Sequence, residues 1–226
     1  MRSKRYKTNK QLIDKTKVYS IDEAIEILQK AQKAKFDESV ELHCKLNIDP
    51  EKSEQQTRAG VELPHGTGKN VKVVVFAEDP ALVQSAKDNG AEIVGGEQLI
   101  EKIRTKGKID FDVAVATPDM MPKMAKIAKI LGPRGLMPNP KNETITKNIA
   151  QAVAALKKGK VNFKSDKSGN IHAVIGKISF TPETLKENYE VFKKALEKAK
   201  PGTVKGKFIR SITLSSTMGG GIKIAN

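Results

Sequence analysis

The segments VKVVVF at residues 71–76 and FDVAVAT at residues 111–117 decide the fold of this chain. Both are nearly continuous apolar runs, and a shorter run lies between them at residues 93–94. Helical patterning is present at residues 80–89, 97–106, 120–131 and 144–158. Continuous apolar strands that alternate with helices indicate a parallel sheet covered on both faces. The sequence therefore predicts an α/β domain, Rossmann-like, at residues 68–159.

The segments on either side of this domain have a pattern typical of half-buried strands. In residues 39–48 the apolar side chains that alternate with polar ones are Val40, Leu42, Cys44, Leu46 and Ile48. Near the C-terminus the apolar side of a second strand holds Phe208, Ile212 and Leu214. Its polar side holds Lys207, Ser211, Thr213, Ser215 and Thr217. Ile209 breaks this second alternation. Such strands, buried on one face only, indicate an antiparallel sheet.

Two helices in the flanking segments have clear start signals. Ser20 is an N-cap residue, and Glu23 three positions later completes a capping box. Thr181 and Pro182 open the second helix as N-cap and first helical residue, and Pro201 ends it. Helices that accompany antiparallel strands form an α+β layer. The simplest topology is therefore a discontinuous α+β domain, residues 1–67 and 160–226, with the Rossmann-like α/β domain inserted into it.

The chain is strongly basic. Its 226 residues include 41 Lys and Arg against 26 Asp and Glu, for a formal net charge of +15. This charge attracts polyanions, so nucleic acid is the first candidate partner and an anionic membrane surface the second. Residues 68–159 hold 15 basic and 10 acidic side chains, so most of the excess charge belongs to the discontinuous domain. That domain is the better candidate for the main polyanion-binding surface.

The N-terminal segment concentrates positive charge. Residues 2–17 hold seven Lys or Arg and one acid, Asp14, with no apolar periodicity. This pattern predicts a flexible basic arm, and a solvated tail without a partner fits it equally well. The segment lacks the apolar stretch of a secretory signal, and no run of about 18 apolar residues could span a bilayer. We therefore expect a cytoplasmic protein with no membrane partner.

The motifs that would support an enzyme are incomplete. A nucleotide-binding enzyme that uses the Rossmann-like domain is the alternative function, but the turn after the first strand reads AEDPALV, without the glycines that admit a pyrophosphate. The sequence HGTGK at residues 65–69 precedes a strand where a phosphate loop would follow one. The three histidines lack the short spacing of a metal site: His43, His65 and His172. We expect no enzymatic activity, no metal and no cofactor.

The sequence is better supplied for recognition of a folded RNA. Aromatic residues make up 4% of the chain and Trp is absent, so stacking on single-stranded bases is poorly supported. Recognition by shape uses basic, hydroxyl and glycine positions instead. Residues 215–221 (SSTMGGG) offer a hydroxyl at Thr217, an apolar cover at Met218 and glycines that let an RNA backbone approach. A mobile glycine turn explains this segment equally well.

Several motifs carry a resemblance to a known family. Residues 116–119 (ATPD), followed by residues 131–141 (LGPRGLMPNPK), closely resemble the signature of the bacterial-type large-subunit ribosomal protein L-one family. Three further segments look like the same family: residues 35–41 (KFDESVE), 63–69 (LPHGTGK) and 217–219 (TMG). The likeness extends over essentially the whole chain.

The resemblance implies both an architecture and a function. Family members have the two-domain, inserted arrangement and bind large-subunit rRNA at a mobile stalk beside the tRNA exit site. They assist release of deacylated tRNA, and many repress translation of their own operon mRNA. The expected partners are therefore rRNA, exit-site tRNA and that mRNA, with the free protein a monomer. Carried onto this chain, the RNA contacts are Lys35, Phe36, Ser39, Glu41, Lys164, Lys167, Ser211, Thr217, Met218 and Gly219.

Overall fold

The computed structural model describes residues 4–107 and 109–225, so residues 2–3 of the predicted basic arm lie outside it. The helices are α1 (Lys4–Gln11), α2 (Ile21–Lys30), α3 (Pro80–Asp88), α4 (Glu97–Lys106), α5 (Met121–Met124), α6 (Ala128–Leu131), α7 (Ile149–Lys158) and α8 (Pro182–Lys198). The strands are β1 (Ser39–Leu46), β2 (Arg58–Glu62), β3 (Val73–Phe76), β4 (Ile93–Gly95), β5 (Val113–Ala116), β6 (Lys160–Lys164), β7 (Asn170–Lys177), β8 (Ile209–Ser216) and β9 (Ile222–Ile224).

Contacts along the chain fall into two compact units. The discontinuous unit combines Met1–Gly68 with Val161–Asn226, and the inserted unit is Lys69–Lys160. None of the helices in the described residues has the length and apolar character needed to cross a membrane.

The inserted unit is built on a parallel sheet of three strands in the order β4-β3-β5. All four residues of β3 are buried. Val74 and Phe76 pack into one apolar cluster with α4, and Val73 and Val75 pack into another with α7. Because each face of the sheet has its own cluster, neither face of β3 meets water. The predicted parallel sheet with helices on both faces is confirmed.

The predicted helix at residues 144–158 is wrong over its first part. Helix α7 begins only at Ile149. Before it, Ile145 forms a parallel bridge with Ala116, whose backbone N–H donates to the Thr144 carbonyl (3.0 Å). The free edge of β5 offers backbone hydrogen bonds to this segment, and that tertiary pairing overrides the helical spacing of its apolar residues.

The discontinuous unit contains an antiparallel sheet in the order β7-β1-β8-β9. Burial alternates strictly along β1, as the sequence predicts, with the apolar side chains packed toward α2 and α8. Cys44 lies fully buried on that side, and burial raises the pKa of its thiol to about 12, so it behaves as a small apolar residue. A register shift in β8 opposite Lys45 and Leu46 turns Ile209 inward. This bulge explains why Ile209 breaks the alternation.

Both predicted helix starts of this unit are confirmed. The Glu23 backbone N–H donates to the Ser20 hydroxyl oxygen (3.2 Å), and the Ser20 backbone N–H donates to the Glu23 carboxylate (2.9 Å). Thr181 caps α8 by accepting from the Thr184 backbone N–H (3.4 Å). These local bonds fix where α2 and α8 begin and so fix which faces they turn to the sheet.

The prediction of a flexible basic arm is wrong for residues 4–11, which form α1. Asn9 is buried on this helix. Its amide N–H₂ donates to the Gln32 carbonyl (3.0 Å), and its amide oxygen accepts from the Gln32 backbone N–H (2.9 Å). Arg5 Nη1 lies 3.6 Å from a carboxylate oxygen of Glu38. These contacts of Asn9 and Arg5 are polar, so they leave no apolar periodicity in the sequence.

Candidate nucleic-acid interface

The outward side of β1 and β8 forms a row of polar side chains, which we call the polar face. It contains Ser39, Glu41, His43 and Lys45 of β1 and Ser211, Thr213 and Ser215 of β8. The strand register places Glu41 opposite Ser215, His43 opposite Thr213 and Lys45 opposite Ser211. At roughly 3.3 Å per residue, the row extends about 20 Å along β1. Apolar residues on the other side of the sheet hold it in place.

One end of the polar face joins two distant segments of the chain. The Thr217 hydroxyl accepts a hydrogen bond from the Ser39 backbone N–H (3.0 Å). The Thr217 backbone N–H donates to the Ser39 carbonyl (3.1 Å). Lys177 Nζ donates to the Ser39 hydroxyl (3.0 Å) and adds a positive charge there. Two predicted contact residues, 178 positions apart, thus form one site.

Two exposed apolar side chains lie in the segments that meet here. Phe36 is 54% exposed and Met218 is 53% exposed. Within the described residues only Leu12 and Val18 also stand out as exposed large apolar side chains. Lys35, beside Phe36, is exposed as well. The surrounding chain does not bury Phe36 in the core, which leaves its ring available to stack on a nucleotide.

The glycines after Met218 are packed closely. A Cβ on Gly219 would lie 2.5 Å from Ser216 Oγ, and a Cβ on Gly221 would lie 2.9 Å from Thr213 Cγ2. A Cβ on Gly220 would meet the Ile13 side chain at 3.0 Å. A cavity of about 40 Å³ separates this turn from α1. These contacts favour an ordered turn over a mobile one, because the glycine backbone packs so closely against its neighbours that side chains at these positions would not fit.

Another predicted group lies toward the opposite end of the face. Lys167 is exposed in the turn before β7, where Asp166 accepts hydrogen bonds from the Ser168 and Asn170 backbone N–H groups (2.8 and 2.7 Å). Lys45 Nζ donates to the Ser168 carbonyl. The turn that carries Lys167 is therefore held by Lys45, the residue opposite Ser211 in the sheet.

Lys164 is placed less closely than the other predicted residues. It is exposed at the end of β6, which pairs with β2 in a separate two-stranded sheet. Glu41 is half-buried near the middle of the polar face. The predicted contacts thus include two clusters, around Thr217 and around Lys167, with Glu41 between them.

Sequence reasoning missed a pair of histidines at the centre of the face. His43 Nδ1 lies 2.8 Å from His172 Nδ1, and His43 Nε2 lies 2.9 Å from the Ser215 hydroxyl. Glu41 is 3.8 Å from His43 Nε2. The antiparallel register of β1 and β7 brings the rings together, and that register leaves no short spacing in the sequence. In the described part of the chain no three His, Cys, Asp or Glu side chains are grouped as metal ligands.

Comparisons with known proteins identify the family of this chain. The model of the family described as "Ribosomal protein L1p/L10e family" matches residues 28–220. A protein of Mesoplasma florum named "Large ribosomal subunit protein uL1" is 52% identical, over 98% of this chain and 97% of its own length. Proteins with the same name from Kosmotoga olearia and Fervidobacterium nodosum are 53% and 52% identical, over 99% and 98% of this chain and 96% and 94% of their own lengths.

These matches confirm the resemblance and decide between the two function classes. They span the polar face and the inserted unit alike, and each relative is named as a ribosomal component, which excludes the nucleotide-binding enzyme. Membership of a ribosomal protein family is typical of a structural protein and not of an enzyme. The chain belongs to the ribosomal protein L1p/L10e family.

Proposed function

We propose that the discontinuous domain, residues 1–67 and 160–226, binds a folded stalk segment of large-subunit rRNA through the polar face. The single observation that carries this proposal is the junction of Thr217 with Ser39, which sets exposed Met218 and Phe36 at the end of a hydroxyl-rich row. Hydroxyl and basic groups pair with 2′-hydroxyls and phosphates, and apolar side chains cover a sugar or base. The proposed contacts are Lys35, Phe36, Ser39, Glu41, Lys164, Lys167, Ser211, Thr217, Met218 and Gly219.

Affinity and selectivity come from different parts of this surface. Exposed lysines such as Lys35 and Lys167 neutralise phosphates and release counterions, so the logarithm of the binding constant falls by roughly 0.7–0.9 per contacted phosphate for each unit of log salt. The hydroxyl row and Thr217 supply selectivity. A mismatched RNA would leave their polar groups desolvated and unpaired, which costs about 1–3 kcal/mol per group.

The proposal is tested by substitution at the junction. Thr217→Ala removes the acceptor for the Ser39 N–H and the hydroxyl offered to RNA, and should weaken binding to an rRNA stalk fragment by about 1–3 kcal/mol. The matched control is Lys158→Ala, which removes an exposed charge from α7 of the inserted unit. Filter binding against the stalk fragment and a duplex of equal length measures both. Unchanged affinity for Thr217→Ala would remove this hydroxyl from the site.

We also propose that the free chain represses translation of its own operon mRNA. The polar face is a single surface, so one bound RNA excludes another. The family resemblance implies that the operon mRNA is the competing ligand. Repression then begins only when rRNA sites are filled, which requires tighter binding to rRNA than to the mRNA. A competition titration with both RNAs measures this order, and the reverse order contradicts the proposal.

On the ribosome we propose that the chain assists release of deacylated tRNA from the exit site. Support comes from the resemblance and from the connectivity of the two units. The chain crosses between them twice, near residues 68–69 and 160–161. Paired connections of this kind permit hinge motion. The rate of exit-site tRNA dissociation should fall in ribosomes that lack the protein and recover when it is added back. We expect the free protein to be a monomer, which sedimentation measures.

A further inference from the structure

A buried carboxylate lies beneath the loop that carries the proposed RNA contacts. Glu38 is only 2% exposed, and carboxylates are rarely this buried without partners. Its Oε2 accepts hydrogen bonds from the Ser216 hydroxyl (2.7 Å) and the Met218 backbone N–H (3.0 Å). Its Oε1 accepts from the Ala34 backbone N–H (2.7 Å) and lies 3.6 Å from Arg5 Nη1. One side chain therefore satisfies donors from three separate segments.

Two of these segments are the ones that present the proposed contacts. The turn after Ala34 exposes Phe36, and the loop after Ser216 exposes Thr217. On the outer surface the hydrogen bonds between Thr217 and Ser39 tie the two segments together. On the buried side the carboxylate does the same. The outer bond from Ser39 is exposed to water, whereas the inner bonds are buried or part-buried, so water competes less with the inner connection for the spacing of the segments.

The hydrogen bonds around Glu38 require the ionised carboxylate. Burial opposes ionisation, but the hydrogen bonds from Ser216, Met218 and Ala34 outweigh it and hold the pKa of the Glu38 carboxyl below its usual value. All of these neighbours donate, and a carboxylate only accepts. A glutamine at this position would turn an N–H₂ group toward one set of donors. The shape of the side chain would be conserved, but the connection that it makes between the segments would be lost.

The tight turn at Gly219 is a second observation that supports the contact between Ser216 and Glu38. A Cβ at this position would lie 2.5 Å from Ser216 Oγ, the hydroxyl that donates to Glu38. The Gly219 backbone N–H also donates to the Ser216 carbonyl (3.0 Å). The absence of a side chain at Gly219 thus leaves room for the Ser216 hydroxyl to reach the carboxylate.

We infer that Glu38 is a positioning residue for RNA recognition: without touching the RNA, it fixes the spacing between the Phe36 turn and the loop of Thr217 and Met218. The inference rests on the proposed rRNA-binding function and adds a residue from beneath the surface. Of its hydrogen-bond partners, Met218 is a proposed RNA contact, and Ser216 directly precedes Thr217, so Glu38 acts through this loop.

The first test compares two substitutions that remove the same charge. Glu38→Gln alters the buried carboxylate, and Glu62→Gln alters an exposed one on β2 of the same unit. Filter binding measures affinity for the rRNA stalk fragment, and urea unfolding verifies that each variant is folded. We expect Glu38→Gln to weaken binding at least about tenfold and Glu62→Gln less than about twofold. Equal affinity of the two variants would overturn the inference.

A second test separates positioning from a general loss of stability. Thr217→Ala and Lys167→Ala are each made in the wild-type chain and in the Glu38→Gln chain. A displaced loop makes little use of its hydroxyl, so the loss caused by Thr217→Ala should shrink to less than about twofold in the Glu38→Gln chain. Lys167, toward the other end of the face, should keep its full effect. An undiminished effect of Thr217→Ala would show that Glu38 does not position the loop.

Ser216→Ala tests the inference if Glu38→Gln fails to fold. This variant keeps the carboxylate and removes one of its donors. We expect a smaller loss of stalk-fragment affinity, with the same shrinkage of the Thr217→Ala effect, and wild-type affinity would overturn the inference. Failure of the proposed function looks different: the wild-type chain itself would then bind the stalk fragment no better than duplex RNA of equal length.

Discussion

His43 and His172 face each other across β1 and β7 with their Nδ1 atoms 2.8 Å apart. At this distance one ring donates an N–H and the other accepts it, so the contact cannot hold with both rings protonated. The second nitrogen of His43 meets the Ser215 hydroxyl at 2.9 Å. The centre of the polar face therefore responds to protonation, while the hydroxyl junction at its end does not.

We expect the pKa of His43 to lie below the usual histidine value of 6.5. Burial of the ring, and then repulsion from His172, lower its pKa from 6.5 against a smaller opposing effect of Glu41. The unfolded chain then binds more protons, so the stability of the fold falls as the pH drops through about 6.5. An NMR titration of the imidazole measures the midpoint. In urea unfolding, the free energy of unfolding should fall less steeply between pH 8 and pH 5 for His43→Gln than for the wild type. A His43 midpoint above 6.5 contradicts this expectation.

Asp166 should contribute to stability over a different pH range. Burial opposes its ionisation, but hydrogen bonds from Asn170, Ser168 and His172 outweigh it and lower its pKa from 3.8 to about 2. The stabilisation is complete above about pH 4 and disappears as the pH falls through about 2. In urea unfolding at pH 7, the free energy of unfolding of the wild type should exceed that of Asp166→Asn. This difference should close as the pH falls to about 2. A difference in unfolding free energy that does not change with pH would mean that the effect comes from the shape of the side chain alone and not from its charge.

The anchoring of α1 depends on one buried amide. Asn9→Ala removes both hydrogen bonds to the Gln32 backbone and should cost about 1 kcal/mol for each. Gln11→Ala is an exposed change on the same helix, and it also raises helix propensity, by a smaller amount, without this loss. Amide hydrogen exchange at residues 4–11 should accelerate for Asn9→Ala only. Equal protection in both variants would mean that α1 is held by other contacts.

Gly219→Ala should impair RNA binding through a steric clash. The new Cβ would meet Ser216 Oγ at 2.5 Å, so the turn must shift. Gly202→Ala is the matched control, because a Cβ there meets nothing within 4 Å. We expect Gly219→Ala to bind the rRNA stalk fragment at least about tenfold more weakly and Gly202→Ala to bind like wild type. Indistinguishable variants would mean that the turn tolerates the displacement.

Local patterns predicted much of the fold. The capping box at Ser20, the alternation along β1 and the continuous apolar run of β3 each depend on residues a few positions apart, and all are confirmed. The buried Cys44 follows from the same alternation. The family resemblance supplied the proposed RNA contacts, which remain predictions. The pairing of β1 with β8 brings two of them, Thr217 and Ser39, together.

Features that depend on partners far away along the chain could not be predicted from the sequence. Asn9 anchors α1 through the backbone of Gln32, and Ile145 leaves a helical pattern to bridge with Ala116. Neither partner is indicated by local spacing. The histidine pair and the buried Glu38 were missed for the same reason: a register between strands, invisible in one sequence, decides which side chains meet.

Strand β8, between β1 and β9, has a consequence for the order of synthesis. Ser39 leaves the ribosome 178 residues before Thr217, the partner it needs. A growing or prematurely terminated chain without residues 209–219 already carries much of the positive charge, but it cannot form the junction that we propose for RNA selectivity. Only a chain extended through β8 contains both halves of the proposed binding site. If the polar face binds rRNA as proposed, this topology makes selective binding depend on nearly the whole chain having been made.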